Sequence, residues 1–548
     1  MKVALMQTPA WGTREPPLGI VQLAGMLKSR GFAARSFDLN NYLYKSRSEG
    51  FCNQWAWEQS MFWYKEDEVT KYFSNYKSIV DKFLEEVYGY DPDVIGFSVS
   101  ASTFWSSCEL AKILKNTKKD MVIVFGGEGF YNKEFIEKAF LCAPVDFVVR
   151  GEGELTFAEL LECIDRKKEI SICSGIYIYE NGKVKFTGER AVLEDLNKIP
   201  FSDYSDLRFD DYDDTVHMAI MASRGCIWNC SFCSSRAFWS DSSVYRWMSA
   251  ERIHQEMYYN RINRRAIGHV DFMDLAFNGN MERTIELCEL LVKYPIISSL
   301  PKIRWVANAV IRPELTKDVL ELMAAAGCKK LIFGIESGSE KVLKLMRKPQ
   351  KISVAKRVIK DTSDAGIEVT TNFMFGFPGE TDEDFMATLD FITDVGQYIE
   401  RVYPSRTYCA LEEYSYFHEY PEKFNIKKPF NHHLYWETND GKNSYPVRLK
   451  RCAEFEKLCG ELNILVDCGV KTSIEMDNWY NLGHYYEYKK DFSKAAEYLI
   501  KYLKEDPKND VIRQKLLEIT KKADVDLPDD LNKQADEILK LKGLGERQ

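Results

Sequence analysis

The sequence predicts an α/β protein in three parts: a doubly wound, Rossmann-like domain over residues 1–200, a full or partial TIM-type barrel over 201–425, and a helical region over 426–548. Three observations carry that expectation. Short apolar runs alternate with helical patterns through the first third, a second alternating series with polar strand ends fills the middle third, and a single helical-repeat signature sits near 476–509.

In the first part, KVALMQ reads as a strand, PPLGIVQLAGMLKSRG as a helix, and FAARSFDLN as the next strand. DVIGFSVSAS, a helix ending near Lys115, MVIVFGGEGF, a helix around Phe135 and VDFVVRGEGE continue the alternation. In such sheets ligands sit beyond the carboxyl ends of the strands. That rule singles out Pro17, Leu18 and Gly19; Ser98, Ser100, Ser102 and Thr103; Gly126, Gly127 and Glu128; and Gly151, Glu152 and Gly153. Glycine lets a backbone approach a ligand closely and serine offers hydrogen bonds, although each loop taken singly also reads as an ordinary tight turn. Residues 41–90 form an aromatic-rich insertion with Trp55, Trp57 and Trp63, expected to be a helical cap with its own packing.

In the second part, a helix from about Ala250 is followed by HVDFMDLAFNGN, KIRWVANAV, KKLIFGIESGS and EVTTNFMFGFPGE. The repeat fits a barrel whose site lies at the carboxyl ends of its strands. The polar tails there hold Asp274 and Asn278, Glu336 and Ser337, and Gly376 and Gly379.

Composition narrows the function. The balance of 74 basic against 83 acidic residues gives a net charge of -9, which offers no electrostatic case for nucleic acid. The N-terminus lacks a signal-peptide core and no apolar run reaches membrane-span length, so the expectation is a soluble, cytoplasmic chain. The 14 cysteines show no disulfide-like framework, and Cys452, Cys459 and Cys468 are too loosely spaced to make an auxiliary cluster the preferred reading.

Three of those cysteines stand apart. Cys226, Cys230 and Cys233 follow the strand-like HMAIMASR in the spacing C-x-x-x-C-x-x-C, which random placement would produce about once in a hundred such chains. They supply three thiolates, one fewer than a closed zinc site or a fully ligated four-iron cluster requires. The next cysteine is Cys288, and His217 lies a strand away, on the order of 20 Å at the usual rise per residue. Zinc is therefore the second reading, and an open iron the first.

With the preceding Ser-Arg-Gly and with Phe232 before the last cysteine, the loop resembles that of the radical S-adenosylmethionine (SAM) superfamily. The resemblance implies a [4Fe-4S] cluster on the three cysteines. Its open iron would chelate SAM, and one-electron reduction would yield a 5'-deoxyadenosyl radical. It further implies a partial (β/α)6 barrel, Phe232 beside the adenine, and SAM contacts from Asp274, Asn278, Glu336, Ser337, Gly376 and Gly379. The N-terminal order of PPLG, PDVIGFS, a Gly-Gly loop and VVRGEGE resembles the cobalamin-binding domain of many such enzymes, with GGEGF in place of the family's usual Gly-Gly-Pro-His. The first histidine of the chain is His217, so that domain offers no histidine to cobalt and cobalamin is expected base-off.

By that resemblance the chain is expected to methylate an unactivated carbon through methylcobalamin, with cluster, SAM, substrate and corrin in one cavity. A non-methylating rearrangement or cyclisation and an iron-sulfur redox-sensing adaptor are the alternatives. The implied partners are a small-molecule or peptide substrate and an electron donor such as flavodoxin or ferredoxin. Further along, His432 and His433 read as possible substrate or acid-base residues. Trp479, Leu482, Gly483, Tyr486, Ala495 and Pro507 fall at tetratricopeptide spacing, with Leu499 in place of the usual Phe, which suggests a stabilising cap or a surface for a protein partner.

Overall fold

The computed structural model describes residues 1–46, 54–55, 62–131, 133–214, 216–235, 245–404, 409–430, 432–467, 473–507, 509–522, 533–535 and 537–538. Five short apolar runs build the first sheet: β1 (Lys2–Gln7), β2 (Ala33–Asp38), β3 (Val94–Ser98), β4 (Val122–Gly126) and β5 (Phe147–Val149). All pair in parallel, in the order β2-β1-β3-β4-β5. Covered on both faces, such strands read as continuous apolar runs, and Val3, Ala4, Leu5 and Met6 of β1 are fully buried. The switch point falls between β1 and β3, where the order reverses and ligands of such sheets bind.

The helices between these strands are α1 (Leu18–Ser29), α2 (Leu39–Ser46), α3 (Glu66–Asn75), α4 (Lys77–Tyr90), α5 (Phe104–Thr117), α6 (Lys133–Cys142) and α7 (Gly153–Asp165). Among the described residues of the insertion, α2, α3 and α4 supply helix, and Trp63 is buried against a core that includes Leu43, Tyr72 and Phe83. Trp55 donates its ring N–H to Asn40 Oδ1 at 2.7 Å, so both tryptophans serve packing, while Trp57 lies outside the described residues. An antiparallel hairpin, β6 (Ile176–Glu180) and β7 (Lys183–Phe186), extends the sheet beyond β5. Nothing in the alternation of apolar runs announced it, but its Asn181-Gly182 turn, with φ of +53° and +77°, is a strong hairpin signal.

The second series comprises β8 (His217–Ile220), β9 (Ser223–Arg224), β10 (Arg246–Trp247), β11 (His269–Phe272), β12 (Arg304–Ala309), β13 (Cys328–Glu336), β14 (Glu368–Phe373), β15 (Arg401–Pro404) and β16 (Leu465–Val466). The chain divides into two compact units, one of residues 1–229, 233–334 and 357–369, the other of 230–232, 335–356 and 370–548. In the first, β8, β11, β12 and β13 are successive parallel neighbours. In the second, β14, β15 and β16 are likewise parallel. The first unit thus holds the N-terminal sheet together with β8 to β12 and most of β13.

The C-terminal segment holds the helices Ile474–Tyr488, Phe492–Glu505 and Asp510–Lys522. A Cβ on Gly483 would lie 2.6 Å from Leu499 Cδ2, which shows why a small residue stands there. The face that one repeat cannot bury alone is covered by Ile512, Leu516 and Ile519. Among the described residues no helix is long and apolar enough to cross a membrane.

Candidate functional site

The cysteine loop leaves β8 at its carboxyl end, and polar anchors hold it on either side. Asp274, just past β11, accepts from Ala222 N at 3.1 Å and from Ser223 Oγ, which fixes the start of the loop. Burial pushes the Asp274 carboxyl up to about 6, opposed by Arg283 and the two hydrogen bonds. At mid-loop, fully buried Ser231 donates N–H to Met346 O at 2.9 Å and Oγ–H to Leu345 O at 3.2 Å, and its carbonyl accepts from Phe417 N at 3.0 Å. Phe232 packs, half-buried, against the cluster of Val342, Leu343, Met346, Phe377 and Phe417.

Cys226, Cys230 and Cys233 are half-buried. Burial instead pushes the thiols of Cys288, Cys409 and Cys459 up to about 12, which suits inert core residues rather than ligands. Trp228 N donates to Cys226 Sγ at 3.5 Å, and Cys233 Sγ contacts Ser235 Oγ at 3.0 Å. Such hydrogen bonds to ligating sulfur tune an iron-sulfur centre. His217, weighed as a fourth zinc ligand, is committed elsewhere: its Nε2 lies 2.9 Å from Asp214 and its Nδ1 3.2 Å from Asp271. Three accessible thiolates on one loop therefore fit a cluster with an open position. Cys452 and Cys459 are buried on the helix Tyr445–Glu461, and Cys468 lies outside the described residues.

The other barrel-loop residues are largely engaged by protein. Asn278 donates to Val310 O at 2.9 Å and accepts from Val310 N at 2.8 Å, tying the turn after β11 to the end of β12. Glu336 has φ of +66°, accepts from Lys348 Nζ at 3.2 Å, and its carbonyl accepts from Met374 N at 3.0 Å. That last bond brings the segment after β13 to the segment after β14. Ser337 Oγ lies 3.2 Å from Thr388 Oγ1. Gly376, at φ +72°, donates N–H to Glu380 Oε2 at 2.6 Å and accepts from Asn443 Nδ2 at 2.7 Å. Gly379 has φ of +92°, a conformation that glycine adopts without strain. Glu380, raised to about 7 by burial against the pull of Arg451, was not singled out by sequence, although it completes the Gly-Phe-Pro-Gly-Glu turn.

At the switch point of the first sheet, a Cβ on Gly19 would lie 3.4 Å from Ser98 Oγ, so Gly19 meets the end of β3, while Pro17 caps α1 and Leu18 begins it. Ser100 N donates to Thr103 Oγ1 at 2.8 Å, and Ser102 Oγ donates to Ala10 O at 2.9 Å, closing the serine loop against the loop after β1. Gly126 ends β4 and its carbonyl accepts from Val99 N at 2.7 Å, while a Cβ on Gly127 would strike Val99 O at 2.6 Å. Glu128 is exposed beside them. Gly151, at φ +74°, precedes α7, and Glu152 beside it pairs with Arg224 and Arg246. Gly153 begins α7.

Residues 220–392 match the Radical SAM superfamily, and residues 10–161 match the B12 binding domain family. The chain carries a radical SAM domain and a B12-binding domain. An uncharacterized methyltransferase of Pyrococcus horikoshii is 31% identical over 58% of this radical SAM chain and 66% of its own length. An anaerobic magnesium-protoporphyrin IX monomethyl ester cyclase of Rubrivivax gelatinosus is 26% identical over 57% of this chain and 56% of its own. The chain thus spans between about half and two thirds of these relatives. Among solved structures, the cobalamin-dependent S-adenosylmethionine radical enzyme OxsB with aqua-cobalamin bound superposes with a TM-score of 0.61 at 16% identity, over 98% of this chain and 83% of that one.

Proposed function

We propose that this protein is a cobalamin-dependent radical SAM methyltransferase acting on an unactivated carbon of a small-molecule or peptide substrate. The observation that carries the reading is a half-buried cysteine triplet on the loop after β8 in a chain that also matches the B12-binding family. Cys226, Cys230 and Cys233 would hold the [4Fe-4S] cluster. The turns at Glu336–Ser337 and Gly376–Gly379 would face SAM, and the loops at Pro17–Gly19, Ser98–Thr103 and Gly126–Glu128, with Gly151 and Gly153, would face the corrin. When bound, these groups supply one-electron and methyl-transfer chemistry that no side chain here provides.

The chain's own part is placement. Asp274 and Ser231 anchor the start and middle of the loop, which limits how far its backbone must rearrange on metal binding. Gly151, at φ +74° with nothing within 4 Å of where a Cβ would stand, leaves its turn open to close approach. With no histidine before His217, base-off cobalamin is the binding mode this composition supports. A ferredoxin or flavodoxin would deliver the electron.

Anaerobic reconstitution with iron, sulfide and hydroxocobalamin, followed by reduction and incubation with methyl-labelled SAM, tests the reading. The expected result is about four irons per chain and release of 5'-deoxyadenosine. A colourless protein that leaves SAM intact under reduction would overturn it. The kinship with a relative named as a cyclase favours a second reading, non-methylating radical chemistry, which predicts no transfer of label to product.

A further inference from the structure

Arg224 and Arg246 are direct cross-strand partners in the antiparallel pair β9 and β10, the stem from which the cysteine loop springs. Like charges placed opposite each other destabilise a strand pair. Here Glu152 lies against both. Arg246 Nη1 is 3.2 Å from Glu152 Oε2 and its Nη2 contacts Oε1, while Arg224 Nη1 is 3.2 Å from Oε2. Glu154 takes the remaining face of Arg224, accepting from Nη1 at 3.4 Å and more closely from Nη2.

The four side chains are 4%, 5%, 13% and 9% exposed for Arg224, Arg246, Glu152 and Glu154, so two positive and two negative charges cancel with almost no help from solvent. Both carboxylates also sit at the start of α7, where the helix N-terminus favours negative charge. Burial alone would push the Glu154 carboxyl up, yet Arg224 beside it holds it below the usual range. Arg246 further donates to Leu193 O at 2.6 Å, and Leu193 N donates to Glu152 Oε2 at 3.3 Å, which ties the segment after the hairpin into the same cluster.

We infer that Glu152 and Glu154 are positioning residues for the cysteine loop, fixing its stem through Arg224 and Arg246 to the Gly151 turn of the B12-binding domain. The inference rests on the reading of Cys226, Cys230 and Cys233 as cluster ligands. Arg224 stands two residues before Cys226, and Glu152 adjoins Gly151. A group seated on the Gly151 turn is thereby coupled to the thiolates through two ion pairs, and the Glu152 carboxylate serves the loop rather than the corrin.

The test compares the full chain with its Glu152→Gln and Glu152→Asp variants. In protein without cofactors, hydrogen exchange over residues 221–235 and 245–249 is expected to quicken by about tenfold or more in Glu152→Gln, with β1 and α1 unchanged. After reconstitution, the SAM-induced change in the electron paramagnetic resonance spectrum of the reduced cluster should weaken, and Glu152→Asp should restore part of it. Hydroxocobalamin affinity, followed by absorbance, should stay within about twofold of the parent. An affinity loss of about tenfold with unchanged loop exchange would instead make Glu152 a cobalamin contact and sink the inference, as would no change in any reading. Should Glu152→Gln fail to fold, Arg246→Lys, which keeps the charge and loses the fork, takes the same measurements with the same expectations. If the parent chain takes up no iron, the cluster reading fails, while exchange in the cofactor-free protein still decides the ion-pair stem.

Discussion

Replacing Gly376 with alanine gives a quantitative test of how the Gly-Phe-Pro-Gly-Glu turn is built. The residue sits at φ +72°, where an L side chain costs roughly 1–2 kcal/mol. Its Cβ would also lie 2.2 Å from Arg448 Cγ and 2.7 Å from Cδ. Arg448 cannot retreat easily, since it is fully buried and donates to Asn443 Oδ1 at 3.0 Å, Leu434 O at 2.6 Å and Trp436 O at 3.1 Å. Its guanidinium also lies 3.9 Å from the centre of the Trp436 ring. Overpacking of that kind adds roughly 1–3 kcal/mol, so the substitution should destabilise the turn by about 2–5 kcal/mol. Gly441→Ala is the control, because Gly441 has φ of +67° and nothing within 4 Å of its Cβ; it should show only the backbone part, about 1–2 kcal/mol. Hydrogen exchange across residues 434–451 in the cofactor-free protein measures the first and exchange around Gly441 the second. Two variants that agree to within about 0.5 kcal/mol would refute the argument from Arg448.

Cys226→Ala, Cys230→Ala and Cys233→Ala should each abolish iron uptake and SAM cleavage while leaving hydroxocobalamin absorbance changes in place; iron analysis and product chromatography decide it. Glu380 has a folded-state pKa of about 7 against 4.5 for the free group, so the folded protein binds the extra proton and loses stability as pH rises through that window. The full effect is of the order of 3 kcal/mol, and Glu380→Gln should flatten the corresponding slope in a series of denaturant titrations from pH 4 to pH 8. Gly483→Leu should loosen the C-terminal helical pair by about 1–3 kcal/mol through collision with Leu499, with iron and cobalamin content unchanged; limited proteolysis after the helix Tyr445–Glu461 reads it out.

Much of this was legible in the sequence, for physical reasons. Strands covered on both faces must be apolar throughout, so β1, β3, β4 and β5 announced themselves, and the cysteine triplet stood out because ligating thiolates need fixed spacing. The support of the site was not legible. Asp274 and Asn278 were read as SAM contacts by resemblance and position; the partners their side chains take in the fold, Ala222 N and Ser223 Oγ for Asp274 and the Val310 backbone for Asn278, were not foreseen. Ser231, an unremarkable residue between two cysteines, holds the loop to a segment more than a hundred positions away. The pairing of Glu152 with Arg224 and Arg246 spans 72 and 94 positions, and no local pattern encodes which strand end meets which helix start.

These long-range anchors share one cause. A loop that offers three thiols as ligands must keep them accessible, so an apolar core can supply only part of its order, as it does at Phe232, and Cys226, Cys230 and Cys233 are only half-buried. Further order comes from polar residues of the loop that are nearly sealed from solvent: Ser223 at 1%, Arg224 at 4% and Ser231 at 0% exposure. Each buried polar group demands a partner, and leaving one without costs about 1–3 kcal/mol, more where the group is charged. The partners supplied are Asp274 for Ser223, Glu152 and Glu154 for Arg224, and the Leu345 and Met346 carbonyls for Ser231. Exposure of the cysteines proposed as ligands and burial of these polar neighbours are thus two halves of one requirement. The Ser-Arg-Gly before Cys226 belongs to the site even though none of its side chains is a metal ligand.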